Sequence, residues 1–389
     1  MVRIDRDEVT RRLAPAMLDP QPGPYRERIS ERIYRPPPTK SGVDPTLKVS
    51  SDRLELFLRQ AFTKVGLAKP QTDAVVALLV TTSLRGVDTH GIVLAERYIE
   101  GILSGEINRR AKPRVLRQSG SVAVIDGDKG LGAFVATQAT RLAISKARKT
   151  GIGAVSLINL THCGALSYYG MMVAREKMAA MAYTNSSRLA APWGGSSRVF
   201  GTNPLCFAFP NGREDIVFDI ATTTGAGQKV IISIRDGKSI PAGWALDSDG
   251  KPTTDPTRAM EGVLLPFGGH KGYGLMFTSE FYSALLGGGG LSYAGQGRYF
   301  QGGFYIQATD ISAFRDYSDY LRDMRKLTRR IRGSKLAEGF EKVYLPGEPE
   351  IITKARRSRE GIPIDPETWA YFETISGRLG IVAPTPNPE

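Results

Sequence analysis

The feature that most constrains this chain is an alternation that begins at Val122. Short β-like apolar runs take turns with stretches whose apolar residues recur at helical spacing. Residues 122–125, 154–158, 178–184, 205–209, 216–219 and 304–308 read as strands, residues 134–147 and 165–177 as helices, and Gly127-Asp-Lys-Gly-Leu-Gly132 as a loop. A further helix carrying Met276, Phe277, Phe281 and Leu285 follows Lys271, and Gly287 to Gly290 break it. Strands need a sheet to satisfy their backbone, and a helix with one apolar stripe must lay it on something. The alternation therefore predicts an α/β domain built on a mixed sheet.

Both flanks read as helical. Ser51-Asp-Arg caps a helix with Leu54, Phe57, Leu58 and Ala61 on one face, and Gly66 can end it. A second helix starts after Pro70 and carries Val75, Val76, Leu79 and Val80 toward Arg85-Gly86. The simplest arrangement is a mainly helical domain made from residues 46–121 plus 309–389, with the α/β domain, residues 122–308, inserted between them. The first 45 residues hold eight prolines and almost no apolar periodicity, so residues 1–45 read as a Pro-rich extension.

Composition narrows the function classes. A chain of 389 residues that is 41% hydrophobic can bury the core of an enzyme-sized protein. Two cysteines, Cys163 and Cys206, make neither a disulfide framework nor a zinc site, which fits a reducing, cytoplasmic compartment. No apolar run is long enough to span a bilayer, and the acidic residues near the start do not suit a transit peptide, so neither membrane nor targeting signal is expected. The net charge of +13 raises polyanion binding, but residues 322–359 hold 12 basic and 5 acidic residues and so carry more than half of the excess. There Leu321, Met324, Leu327 and Ile331 fall at helical intervals with the charges between them. The solvated face of a packed helix is the expectation, with no nucleic-acid partner.

The chain has three histidines, in Asp88-Thr89-His90-Gly91, Thr161-His162-Cys163-Gly164 and Gly269-His270-Lys271-Gly272. Each lies within two residues of a glycine, which lets a backbone or ligand come close, and a histidine at an element boundary suits proton transfer. The residues alone also admit structural roles for all three. No His/Cys/carboxylate spacing suits zinc. The nearest approach to a dinucleotide fingerprint, at Gly127 to Gly132, has its glycines at the wrong positions, and on motifs alone no dinucleotide site follows. Lys271 between Gly268-Gly269 and Gly272-Tyr-Gly274 is a better partner for phosphate or ribose. Gly201-Thr-Asn-Pro204 and Asp219-Ile-Ala-Thr-Thr223 offer a polar rim or simply turns.

These fragments, in this order, resemble the malate/L-lactate dehydrogenase family, most closely its ureidoglycolate dehydrogenase branch. The resemblance rests on Arg85-Gly-Val-Asp-Thr-His-Gly, Asn159-Leu-Thr-His-Cys-Gly-Ala-Leu-Ser-Tyr-Tyr, Phe200-Gly-Thr-Asn-Pro-Leu, Phe218-Asp-Ile-Ala-Thr-Thr, Ile240-Pro-Ala-Gly-Trp-Ala, Pro252-Thr-Thr-Asp-Pro, Gly269-His-Lys-Gly-Tyr-Gly and Leu345-Pro-Gly-Glu. It implies a non-Rossmann fold that binds NAD or NADP, which accounts for the missing fingerprint, and a homodimer acting on a small-molecule substrate. It places the cofactor against Ser186, Asp219, Ile220, Ala221 and Lys271, with Gly297 and Arg298 less securely aligned. His162 matches the proton acceptor of the ureidoglycolate branch. His90 matches the proton donor of an imine-reducing branch, supported there by Thr89 and Asp219. One departure stands out: where the family continues His-Gly-x-x-Arg, this chain has Leu94, so Arg97, Arg85 or another residue replaces that arginine or the substrate differs. The expected reaction is hydride transfer between NAD(P) and the carbinol carbon of a 2-hydroxy acid. Reduction of a cyclic imine carboxylate and a non-catalytic paralogue are the alternatives.

Overall fold

A computed structural model describes residues 47–295 and 299–387. Its strands are β1 (Lys48–Val49), β2 (Arg114–Ser119), β3 (Val122–Gly130), β4 (Ile152–Leu160), β5 (Met178–Thr184), β6 (Leu205–Phe209), β7 (Ile216–Ile220), β8 (Ala245–Leu246), β9 (Pro252–Thr253), β10 (Val263–Leu264), β11 (Gly302–Asp310) and β12 (Ile362–Pro363). Its α-helices are α1 (Ser51–Lys64), α2 (Lys69–Leu84), α3 (Ala95–Leu103), α4 (Gly132–Thr150), α5 (Leu166–Arg175), α6 (Gly227–Arg235), α7 (Pro256–Glu261), α8 (His270–Glu280), α9 (Tyr317–Arg332), α10 (Glu348–Glu360) and α11 (Pro366–Leu379).

Seven strands form the main sheet in the order β2-β3-β4-β11-β5-β6-β7. Only β3 and β4 are parallel neighbours; every other adjacent pair is antiparallel. Following the directions across the sheet, β3, β4, β5 and β7 all run the same way. Their carboxyl ends therefore share one edge, where the chain leaves the sheet and can present side chains in loops. The mixed α/β fold expected from the alternation is present.

Helix α4 reaches this sheet closely because its buried face is built from Ala136, Ala139, Ala143 and Ala147. A Cβ on Gly153 of β4 would lie 2.0 Å from the Ala143 carbonyl oxygen, so the strand also gives up its side chain at the crossing. The two termini of the described chain meet: β1 pairs with β12, and Phe57 of α1 packs on Phe372 of α11 with ring centroids 4.8 Å apart. A small sheet, β10-β8-β9, closes a second apolar cluster that includes Ala190, Phe200, Val230, Leu264 and Met276.

Some local readings shift. Ser50, not Ser51, caps α1, its side chain accepting the Arg53 N–H. Strand β3 continues past residue 125 through much of the expected glycine loop. Asp128 and Lys129 have positive φ there, and the Asp126 side chain accepts the Asp128 N–H, so the strand carries an irregularity and does not end. Strand β2, exposed along its whole length, adds an edge to the sheet ahead of Val122. The basic segment forms α9 as its spacing predicts, but its apolar stripe is only half used: Leu321 and Met324 are half-buried, while Leu327 and Ile331 are exposed. Among the described residues no helix is long and apolar enough to cross a membrane, and no group of three or more His, Cys, Asp and Glu could hold a metal ion.

Candidate active site

His162 follows the carboxyl end of β4, and the turn that holds it is clamped from beneath. Thr161 Oγ1 donates to the Gly130 carbonyl and accepts the Gly132 N–H, and a Cβ on Gly132 would lie 2.3 Å from the His162 carbonyl oxygen. Glycine at 132 thus lets the start of α4 press against the histidine's own backbone.

His90 arrives from the helical side, on Asp88–His90, the first of two 3-10 turns between α2 and α3. This turn is pinned twice. The Ser83 hydroxyl accepts the Ile92 N–H at 2.9 Å. Arg357 of α10, almost fully buried, donates to both Asp88 carboxylate oxygens at 2.5 and 2.9 Å and to the Ser83 carbonyl at 2.6 Å.

The fold brings the two imidazoles into a stack, with ring centroids 5.6 Å apart and planes 27° from parallel. Both histidines are half-buried residues. Thr89 Oγ1 lies 2.9 Å from His90 Nδ1, and Tyr98 Oη lies 2.8 Å from His162 Nδ1. The Gly164 N–H also donates to His162 Nδ1, at 3.3 Å. Burial, and then the Arg97 guanidinium, pull the His90 pKa down to about 4. Burial, Arg97 and the neighbouring His90 hold His162 well below the ordinary histidine value. Both rings are therefore neutral at physiological pH.

The other predicted positions fall along one strip at the same sheet edge. Ser186, beyond β5, accepts the Thr202 N–H; the Thr202 carbonyl accepts the N–H of Thr222, beyond β7; and the Thr222 carbonyl accepts the Phe267 N–H, just before α8. This relay puts Ser186, Asp219, Ile220 and Ala221 on a shared backbone frame with the Gly268-Gly269-His270-Lys271 start of α8. A buried knot fixes the frame: the Glu280 carboxylate accepts from Asn203 Nδ2, Ser292 Oγ and Ser292 N–H at 2.6, 2.6 and 2.7 Å. Asp219 Oδ2 accepts the Ser167 N–H at the start of α5, and burial raises its pKa against that bond. Lys271 and His270 are exposed in the first turn of α8. Gly297 and Arg298 lie outside the described residues.

The start of α8 has the chemistry of an anion cradle. No side chain caps it, Gly268 and Gly269 both have positive φ, and a Cβ on Gly268 would meet nothing within 4 Å. Backbone N–H groups, the helix dipole and Lys271 together suit a pyrophosphate. These residues fit a dinucleotide without the usual glycine fingerprint.

Sequence reasoning did not single out Tyr98, the Asp88–Arg357 pair or Glu280. Arg85, one candidate to replace the arginine missing at Leu94, is buried with its charge set against Glu350 and Asp219. Arg97, three residues beyond Leu94, instead weighs on His90, His162 and Cys163.

Two neutral imidazoles, at the same sheet edge as a strip that leads to a helix end suited to an anion, are the equipment of a nicotinamide-dependent dehydrogenase. The chain belongs to the malate/L-lactate dehydrogenase family, whose model matches residues 49–373. It is 36% identical to a malate dehydrogenase of Pyrococcus horikoshii over 346 residues, covering 86% of this chain and 96% of that protein. It is 31% identical to the NAD(+)-dependent ureidoglycolate dehydrogenase of Escherichia coli K12, covering 84% and 95%. The solved sulfolactate dehydrogenase of Methanocaldococcus jannaschii superimposes with a TM-score of 0.81 at 33% identity, covering 86% of this chain and 98% of that one.

Proposed function

We propose that this protein transfers a hydride between NAD or NADP and the carbinol carbon of a small 2-hydroxy acid. The observation that carries the reading is the His90–His162 stack, set at the same sheet edge as the Ser186–Lys271 strip. The cofactor supplies the nicotinamide carbon that takes or gives the hydride. Lys271 and the start of α8 hold its phosphates, Ser186 and residues 219–221 line its path, and the imidazole pair exchanges the hydroxyl proton, with Thr89 and Tyr98 fixing the rings. Asp219 is tied to the helix that follows His162.

A 2-hydroxy acid also brings a carboxylate, and Arg97 is the cation placed to meet it. It takes the part that Leu94 cannot play, one helical turn further along α3. The chain acts as a homodimer in this reading. Phe277, Phe281 and Leu285 recur every fourth residue after the cofactor lysine and stand 51%, 41% and 51% exposed, a row suited to a second copy. Two buried free thiols, Cys163 and Cys206, support a cytoplasmic setting.

The test is a screen of 2-hydroxy and 2-oxo acids with both coenzymes, read by nicotinamide absorbance. Turnover of at least one acid pair is expected. Absence of both reduced-cofactor binding and turnover refutes the reading, and turnover of cyclic imines alone redirects it to an imine reductase.

A further inference from the structure

We infer that the two histidines divide the chemistry: His162 presents a fixed Nε2–H to the substrate oxygen, and His90 takes and returns the proton at its own Nε2. This rests on the hydride-transfer reading above and assigns the roles within it.

The argument is one of tautomers. A neutral imidazole carries one proton, and the hydrogen bond at one nitrogen dictates the other. A backbone N–H can only donate, so the Gly164 N–H at 3.3 Å makes His162 Nδ1 an acceptor. Tyr98, 2.8 Å away, then serves as a second donor to the same nitrogen. A proton on Nδ1 would face the Gly164 N–H head on. His162 therefore keeps its proton on Nε2, and in that state it has no lone pair there to accept another. His90 is not bound in this way. Its Nδ1 meets the Thr89 hydroxyl at 2.9 Å, which accepts as readily as it donates. His90 can hold its proton on Nδ1, pass it to Thr89 as a hydrogen bond, and leave Nε2 basic.

In the oxidative direction the hydroxyl proton passes to His90 Nε2. A bound oxidised nicotinamide would supply the acceptor for the hydride, so that the C–H electron pair would leave with its hydrogen and the C–O bond would become a carbonyl. The Nε2–H of His162 stays on that oxygen throughout and strengthens as negative charge gathers on it. Reduction runs the same steps backward, with His90 returning the proton.

The chain's three histidines make a direct test practicable. In the full-length protein labelled with ¹⁵N-histidine, the long-range ¹H–¹⁵N spectrum at neutral pH should show one ring with a pyridine-type Nδ1 and a pyrrole-type Nε2. That pattern should vanish in His162→Gln. In turnover assays His162→Gln, which keeps an N–H donor, should retain kcat within roughly tenfold. His162→Phe should lose about a hundredfold or more, and His90→Gln should lose roughly a hundredfold to ten-thousandfold. A pyrrole-type Nδ1 on His162 overturns the division even in an active enzyme, as does an active His90→Gln beside an inactive His162→Gln. The expected nitrogen pattern in a wild-type chain that turns over no 2-hydroxy acid upholds the tautomer and refutes the substrate reading instead.

Discussion

Replacing Arg357 by leucine tests whether the His90 turn is held from the far end of the sequence. The guanidinium is 4% exposed, whereas the Asp88 side chain is 55% exposed. Water can therefore take over at Asp88 once its partner is gone, and the two bonds to it count as a largely solvated pair worth at most about 1 kcal/mol. The bond to the Ser83 carbonyl is buried and charge-assisted, worth about 1.5–3 kcal/mol. Some of that is retained, because the same carbonyl also accepts the Gly86 N–H. Leucine fills most of the vacated volume, so the net cost is about 2 kcal/mol. With an unfolding entropy of about 0.7 kcal/mol per kelvin for a chain of this size, Tm should fall by about 3 °C. Turnover should drop by roughly tenfold, since His90 sits two residues from Asp88 and a loosened turn misplaces its ring. Differential scanning calorimetry and steady-state kinetics on the same preparations supply both numbers. Arg148→Ala is the control, breaking the exposed Arg148–Glu176 pair on the far side of α4. A Tm loss no larger than the control's, with unchanged kcat, would refute the reasoning.

Other perturbations follow from the same geometry. Arg97→Met should raise KM for the hydroxy acid by roughly tenfold to a hundredfold, the worth of a charge-assisted bond, with partial recovery in Arg97→Lys; an unchanged KM removes Arg97 from the substrate. Lys271→Met should weaken reduced-cofactor binding, read by fluorescence titration, by about tenfold or more while leaving Tm unaltered, because the side chain is exposed. Gly132→Ala sets a Cβ 2.3 Å from the His162 carbonyl and 2.4 Å from that of Thr161, backbone atoms that cannot swing aside. It should cost both stability and turnover, and an active variant with wild-type Tm contradicts the clamp. The folded chain holds both imidazoles below the value of a free histidine, so on acidification the unfolded chain takes up protons first. The stability they confer is complete above a pH of about 6.5 and is lost as pH falls toward 4. Urea midpoints should drop more steeply over that window in wild type than in a His90→Asn, His162→Asn double variant, and parallel slopes would discount the burial.

Strands β5 and β6 were legible because their apolar runs lie inside the sheet and stop where the packing stops. The exposed edge strand β2 was not, since Arg-Val-Leu-Arg-Gln-Ser has no buried face to impose an alternation. The extension of β3 was hidden for another reason. Asp128 and Lys129 look like turn residues and do adopt positive φ, but Asn108, from outside the strand, donates to the Asp128 carbonyl and accommodates the distortion. In the site, the histidines announced themselves through their glycine neighbours and through resemblance. Tyr98 did not, because a buried tyrosine on an amphipathic helix reads as core until its hydroxyl is seen on His162. The Asp88–Arg357 pair joins residues 269 positions apart, a distance over which a single sequence carries no signal.

The absence of the family arginine at Leu94 bears on how the imidazoles are tuned. A cation on α3 close to two histidines lowers both of their pKa values, and Arg97 does this to His90 and His162. A carboxylate bound against Arg97 would cancel much of its field and raise both values toward the ordinary one, most usefully that of His90, whose Nε2 must accept a proton. The base would then become competent only once the acid is in place, so substrate charge and proton transfer are coupled through one side chain. Neutral Arg97→Gln separates the two roles. It should bind the acid poorly, yet bring the pH dependence of the unliganded histidines closer to that of the substrate complex, as read in ¹⁵N-histidine titrations. If Arg97→Gln weakens binding and leaves the histidine titrations where they were, the arginine anchors substrate without tuning the base.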